Sequence, residues 1–311
     1  MPITRLRSNE TLQDWWTNLH EPLALSPTQR RVELMLWIEF LKLPSYETLL
    51  YVNNSEETAR TIEAVWHEWK PILEQRLHHR IPIQYLLGYA YFLDLKLEVC
   101  PPCLIPRPES ELLCEAVVEE MVARASSQAL NTPIWEVGIG TGCLSLGIDQ
   151  LLRSKSLALP DFFAGDICST ALELAKRNAS TYQTPITLFS SDLLQGFPLE
   201  VQAPQVLVGN LPYIDLALHD TLQPEVLHHE GHHTLFAEEA GFALLFRLIE
   251  EASIRFGDSW QGVLALEFGE GMHENLAQRL KASGFQHQRW VKDYQGIVRH
   301  ILASRMPLFV I

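Results

Sequence analysis

The residues best suited to chemistry lie in the middle of the chain. Glu136-Val-Gly138-Ile-Gly140-Thr-Gly142 follows an apolar strand pattern and opens a helical one. Glycines at alternate positions let the backbone turn sharply and approach a bound molecule, where a side chain would collide. The spacing GxGxG is neither the GxGxxG of dinucleotide folds nor the GxxxxGK of phosphate loops, and no lysine follows to meet a phosphate. Such a turn is weak evidence by itself. Two carboxylates strengthen it. Phe162-Phe-Ala-Gly-Asp166 reads as a strand ending in an acid, suited to accept both hydroxyls of a ribose. Asp192 ends the next strand, where it can accept a hydrogen bond from an adenine amino group. Either acid alone reads equally well as a solvated strand end or a helix cap. Two of them ending successive strands after a GxGxG turn favour a nucleoside-bearing ligand.

A further strand, Gln205-Val-Leu-Val-Gly, ends in Asn210-Leu211-Pro212-Tyr213. Pro212 restricts the turn, and Tyr213 offers a flat face against which a planar group can lie. Other reactive residue types carry less. Cys100-Pro-Pro-Cys103 has redox or zinc spacing, but zinc would want a second pair and none exists among the five cysteines. His228-His-Glu-Gly-His-His233 lacks the i,i+4 pair of a zinc helix and is expected to be a surface loop. No metal site is expected.

Elements must exist to hold these groups. The first eighty or so residues read as helical. Ser26-Pro27 is a cap followed by proline at the first helical position, and Val32, Met35, Leu36 and Phe40 follow at helical spacing. Ser55 can cap a second helix whose apolar stripe is Ile62, Val65, Trp66, Trp69, Ile72, Leu73 and Leu77, with Pro71 expected to break or kink it. The alternation of Leu93, Leu95, Leu97 and Val99 with Asp94, Lys96 and Glu98 predicts a short hairpin. The prolines of Leu104-Ile-Pro-Arg-Pro-Glu-Ser-Glu111 predict a rigid extended loop, with helix from Glu111 onward. From Pro133, short apolar strands alternate with amphipathic helices. The strands are expected at 134–137, 162–165, 186–189, 206–208, 263–268, 285–291 and 298–302. The helices are expected at 143–153, 169–179, 241–256 and 272–282. This rhythm predicts an α/β fold with a doubly wound, mostly parallel seven-stranded sheet, which binds ligands at the carboxyl ends of its strands. The expected domains are a helical one over 1–85, a hairpin linker over 86–105 and the α/β domain over 106–311.

The turn and its two acids together are similar to the cofactor half of a class I, Rossmann-like methyltransferase. The Asn210–Tyr213 motif resembles the Asn-Pro-Pro-Tyr hallmark of the HemK-type glutamine N5-methyltransferases. Ile83-Gln-Tyr-Leu-Leu-Gly88 looks like that family's linker start, and Leu104-Ile-Pro-Arg-Pro-Glu109 like the segment of its release-factor branch. The resemblance covers most of the chain. It implies S-adenosylmethionine held by Glu136, Gly138, Gly140, Gly142, Asp166, Asp192 and Asn210, and catalysis by Asn210, Leu211, Pro212 and Tyr213. It also implies that the side-chain oxygen of Asn210 and the backbone carbonyl of Leu211 accept the two N–H bonds of a glutamine amide. Its implied partner is the Gly-Gly-Gln loop of peptide-chain release factors, recognised by the front helical domain. Three departures stand out. Leucine replaces the motif's first proline, glutamate replaces the usual aspartate before the first glycine, and the glycine-rich stretch before the next helix reads Phe236-Ala-Glu-Glu-Ala-Gly241.

Charge and composition restrict the alternatives. The net charge of −14 opposes a polyanionic partner, which counts against an adenine amino-methyltransferase acting on DNA or RNA. Leu211 leaves open a degenerate member that binds cofactor without turnover. No apolar run approaches the ~20 residues of a membrane helix and no signal peptide opens the chain, so a cytoplasmic location is expected. A monomer is the separate expectation for its assembly.

Overall fold

The computed structural model describes Trp16, Asn18, His20 and residues 21–40, 55–125 and 133–309. It divides into two compact units, Met1–Gly88 with Pro224–His229, and Tyr89–Gln223 with Glu230–Ile311.

In the first unit, helix α1 (Pro27–Phe40) begins at a proline whose missing N–H has no partner to lose. Ser26 Oγ accepts the Gln29 N–H at 3.2 Å while Gln29 Oε1 accepts the Ser26 N–H at 2.9 Å, a reciprocal cap. The stripe expected on this helix is not its buried face. Val32 and Met35 are 49% and 50% exposed, whereas Glu33, Leu34, Leu36, Trp37 and Ile38 are buried. The cause is a buried ion pair that polarity patterning cannot anticipate. Arg76 donates from Nε and Nη2 to Glu33 at 2.8 and 3.0 Å, and from Nη1 to Glu225 at 2.9 Å. Burial works against the charge on Glu33, but hydrogen bonds from His20 and Arg76 outweigh it and hold the carboxyl below its ordinary value.

Helix α2 (Ser55–His78) runs straight through Pro71 instead of ending there. Pro71 is exposed, and Trp66, Trp69 and Leu73 bury the opposite face, so packing outweighs the one lost backbone bond. The Trp37 and Trp69 rings meet edge-on at 5.5 Å. The side chains of Ile62 and Val65 lie outside the described residues.

The second unit opens with the hairpin of β1 (Tyr89–Phe92) and β2 (Leu95–Glu98), antiparallel with Tyr89 opposite Glu98. Leu95, Leu97 and Val99 are buried as their alternation requires, but Leu93 falls in the turn at a φ of +50°, and Phe92 of the partner strand is buried in its place. After the proline-rich loop come α3 (Glu109–Ala125), β3 (Ile134–Val137), α4 (Cys143–Ser154), β4 (Phe162–Asp166), α5 (Ser169–Tyr182), β5 (Ile186–Ser190) and β6 (Val206–Asn210). A pair of two-residue strands, β7 (Ile214–Asp215) and β8 (Phe236–Ala237), precedes α6 (Ala243–Phe256), β9 (Val263–Glu267), α7 (His273–Ala282), β10 (His287–Lys292) and β11 (Val298–Ser304).

The seven-stranded sheet has the order β10-β11-β9-β6-β3-β4-β5. All its strands are parallel except β11, which runs antiparallel to both β9 and β10. The central parallel strands β3, β6 and β9 are buried on both faces, so they read as mostly apolar runs, whereas the edge strands β5 and β10 are only half-buried. Ile134, Val206 and Val208 pack into the core beneath α3 and α4, while Trp135, Val137 and Leu207 pack with α6 residues Leu245 and Leu248 on the other side. Asn178 of α5 joins hairpin to sheet. Its Oδ1 accepts the Glu98 N–H at 2.8 Å, and its Nδ2 donates to the carbonyls of Glu98 and Thr141 at 3.0 and 2.9 Å. The His228–His233 stretch, expected as a loop, forms parts of two short helices, Pro224–His229 and His232–Leu235.

Candidate active site

The carboxyl ends of β3, β4 and β6 open onto one cleft of about 950 Å³. Strand β3 leads into the glycine turn, where Gly138, Gly140 and Gly142 have φ of +74°, +52° and +84°, values that favour glycine. The turn is held from the neighbouring strand. Gly138 and Ile139 both donate N–H to the Gly165 carbonyl, at 2.8 and 3.1 Å. Asp166 adds its side chain, Oδ2 accepting the Gly140 N–H at 3.0 Å and Oδ1 the Cys168 N–H at 2.9 Å. A Cβ built on Gly140 would meet nothing within 4 Å, so the turn leaves a cradle open to the cleft.

Among the residues singled out from sequence, Glu136, Gly138, Gly140, Asp166, Asp192, Asn210, Leu211 and Pro212 line this cleft; Gly142 and Tyr213 do not. Gly142 instead caps α4, where its missing side chain lets Leu146 and Ala175 pack close. Asp192 sits at the rim and ion-pairs through Oδ1 with Arg247. Glu136 is fully buried, and its Oε2 accepts both the N–H, at 3.0 Å, and the hydroxyl of Ser145. Burial pushes its carboxyl up to about 8, with the two Ser145 donors opposing and Asp166 adding to the rise.

Asn210 is the last residue of β6. Leu211, in the place of a proline, is 3% exposed and belongs to the core cluster behind the cleft. Its side chain fills the space beside Gly138, whose Cβ would stand 3.1 Å from Leu211 Cδ2. Burial thus restrains a turn that a ring would otherwise restrain. Tyr213 turns its hydroxyl away from the cleft and donates it to Glu267 Oε1 at 3.3 Å. Its hydroxyl is pushed well above the ordinary tyrosine value by burial and by nearby Glu267.

The structure adds residues that sequence reading passed over. Ser110 lines the cleft beside Asn210 and bonds its side chain, and Glu267, which does not line the cleft, bonds both Ser110 and Tyr213. Glu267 ends β9 as Asp166 ends β4, so the strand-end-acid pattern was the available signal. Arg107, paired with Glu230 at 2.7 Å, lines the cleft, as does Ile167, which is 61% exposed directly after Asp166. An apolar side chain standing free beside a strand-end acid suits the face of a base. Cys103 and Cys168 also line it as thiols outside any disulfide, and burial pushes Cys103 up to about 12, which keeps it protonated at neutral pH.

No family model matches the chain. Curated relatives do. The release factor glutamine methyltransferase of Flavobacterium psychrophilum is 31% identical over 234 residues, covering 75% of this chain and 79% of its own. That of Bacillus cereus is 30% identical over 260 residues, covering 82% and 89%. Among solved structures, the hMettl16 catalytic domain in complex with the MAT2A 3'UTR hairpin 1 aligns over 78% of this chain and 81% of its own, with a TM-score of 0.56 at 14% identity, a likeness of fold alone. The sheet is that of a class I S-adenosylmethionine-dependent methyltransferase, and identity sustained over three-quarters or more of its length shows that the chain belongs to the release factor glutamine methyltransferase family.

Proposed function

We propose that this enzyme methylates the side-chain amide nitrogen of the glutamine in the Gly-Gly-Gln loop of peptide-chain release factors, with S-adenosylmethionine as donor. One observation carries the reading: Asn210, Leu211 and Pro212 line the same cleft as Gly138, Gly140 and Asp166. A donor group and a planar amide can therefore share one cleft.

The cleft fits the donor. The open cradle at Gly140 admits a group that any side chain there would exclude, the Asp166 carboxylate suits ribose hydroxyls, and exposed Ile167 and rim Asp192 suit the base. When bound, S-adenosylmethionine supplies an electrophilic methyl on a sulfonium. The protein's own work is to make a weak nucleophile strong. An amide lone pair is delocalised into its carbonyl. Accepting both N–H bonds, through Asn210 Oδ1 and the Leu211 carbonyl, would orient that lone pair and stabilise the positive charge that grows on nitrogen. Pro212 stiffens the loop carrying the carbonyl.

In this reading the enzyme is a cytoplasmic monomer, and the helical domain over 1–85 recognises the body of the release factor. No helix among the described residues is long and apolar enough to cross a membrane. Incubation with S-adenosylmethionine and intact release factor is expected to add about 14 daltons, one CH₂, to that glutamine and nothing to a factor in which it is changed. A gain on DNA or RNA in place of the protein would overturn the reading.

A further inference from the structure

From Asn210 a hydrogen-bond chain runs through Ser110, at the cleft wall, to buried Glu267, and the proposed reaction does not by itself require it. Sheet register sets it up. Asn210 of β6 pairs with Glu267 of β9, and Glu267 pairs with His300 of β11, so the three lie side by side across adjacent strands. Ser110, in the first turn of α3, is 1% exposed and reaches both acid and amide. Its hydroxyl donates to Glu267 Oε2 at 2.6 Å, and its oxygen accepts from Asn210 Nδ2 at 3.2 Å. Tyr213, three residues after Asn210, donates to the other oxygen of the same carboxylate at 3.3 Å. His300 Nε2 lies 3.5 Å from Oε2, with both side chains buried.

The direction of these bonds is not arbitrary. A serine hydroxyl has one proton, and here the carboxylate takes it. Ser110 is therefore left as an acceptor toward Asn210. The asparagine must face it with its NH₂ group, and its Oδ1 is turned the other way. We propose that Ser110 and Glu267 are positioning residues that set the flip state of the Asn210 amide, so that its oxygen and not its NH₂ group meets the acceptor nitrogen. The proposal rests on reading Asn210 as an acceptor for the substrate's N–H. With the amide flipped, two NH₂ groups would face each other across the cleft and the lone pair would lose its guide.

These bond directions make Glu267→Gln a reversal and not a mere deletion. Glutamine has nearly the same shape. The Tyr213 hydroxyl holds its carbonyl end, which leaves its NH₂ toward Ser110. Ser110 then accepts from the introduced amide and donates to Asn210, drawing Oδ1 backward. Turnover number should fall by about a hundredfold, as much as for Asn210→Ala, because the acceptor is lost in both. Ser110→Ala removes the directing group and lets the amide adopt either orientation, which should cost only about twofold to fivefold. Ser110→Thr, which keeps the hydroxyl, should restore turnover to about the native level. The sharpest expectation is the pair: Ser110→Ala combined with Glu267→Gln should turn over faster than Glu267→Gln alone, since the inverted anchor is gone.

Kinetics with release factor, separating kcat from KM, and calorimetry of S-adenosylmethionine binding test this on the full chain. Cofactor affinity should stay near native in all these variants. If Glu267→Gln retains turnover within about threefold of native, or the double variant is slower than either single one, the flip-state role is wrong and the chain is only structural. If Asn210→Ala itself turns over normally, the acceptor reading fails first, whatever the Ser110 and Glu267 variants do.

Discussion

At the scale of single residues, the site divides into groups that touch ligands and groups that shape the backbone around them. In the proposed reading Asn210 belongs to the first kind. Asn210→Ala should lower kcat by about a hundredfold, near 3 kcal/mol, while S-adenosylmethionine affinity measured by calorimetry changes little. Gly140 belongs to the second. Gly140→Ala puts a Cβ into open cleft space at a φ of +52°, so it should weaken cofactor binding at least tenfold. Gly296→Ala is the control for backbone strain, because its φ is +83° and its Cβ also meets nothing, yet it does not line the cleft. Equal loss in both would remove the cradle from the cofactor site. Glu136 offers a pH signature. Its folded carboxyl is raised to about 8 from 4.5. Between those values the folded state holds a proton that the unfolded state releases, so stability falls as pH rises, by up to about 1.4 kcal/mol per unit. Thermal melts from pH 5 to 8 should show this decline, and Glu136→Gln should flatten it.

At the scale of elements, the segment before α6 carries a run of left-handed residues. Glu239, Ala240 and Gly241 have φ of +54°, +55° and +88° in succession. Only the last is a glycine, and a Cβ there would stand 2.1 Å from the Tyr213 carbonyl, so that position admits nothing larger. The first two hold left-handed conformations at a cost of about 1 kcal/mol each. Both side chains are exposed, so little packing offsets this. Ala240→Gly should therefore raise stability by roughly 0.5–1 kcal/mol, against the usual penalty for glycine. A lower melting temperature would mean that the turn is not left-handed in solution. The sheet itself was legible, because its central strands β3, β6 and β9 are mostly apolar runs set apart by helices at 3.6-residue spacing. The existence and start of α1 were legible too, but not its buried face, since that face carries Glu33, and α2 does not break at Pro71, where the tryptophans pack on the opposite face.

At the scale of the molecule, the helical unit takes in Pro224–His229 from a distant part of the chain. Arg76 and Arg80 both donate to Glu225, at 2.9 and 2.8 Å, which fastens that segment to α2 and the turn after it. Burial opposes the charge on Glu225, but Arg80 and Arg76 hold its carboxyl below the usual value. Arg76→Met would leave Glu33 and Glu225 short of their shared partner, and urea melts should show a loss of about 3–5 kcal/mol. A loss under about 1 kcal/mol would place the pair in solvent. The same bonds decide how substrate recognition should be tested. Removing the residues before Ile81 would strip Glu225 of both arginines, so substitutions at exposed positions of α2, such as His67 and Glu68, are the better probes.

Local pattern determined a great deal here. The glycine turn, the strand-end acids and the Asn210 motif each occupy a few consecutive residues, so their types and spacing were enough to propose a nucleoside-bearing ligand and to carry the family resemblance. Periodicity likewise placed the strands, because burial on both faces leaves its mark on every residue of a strand. Tertiary structure alone decided what stands behind the motif. Ser110 and Glu267 meet across 157 positions, and Ser110 and Asn210 across 100, only because β6 and β9 are neighbours in register and α3 begins beside them. The same holds for Arg247 on Asp192 and Arg76 on Glu33, where an acid that reads as solvated or free acquires a partner. Polarity along a chain says which faces seek burial. It does not say which buried charge meets which, because that depends on distances set only when the sheet closes.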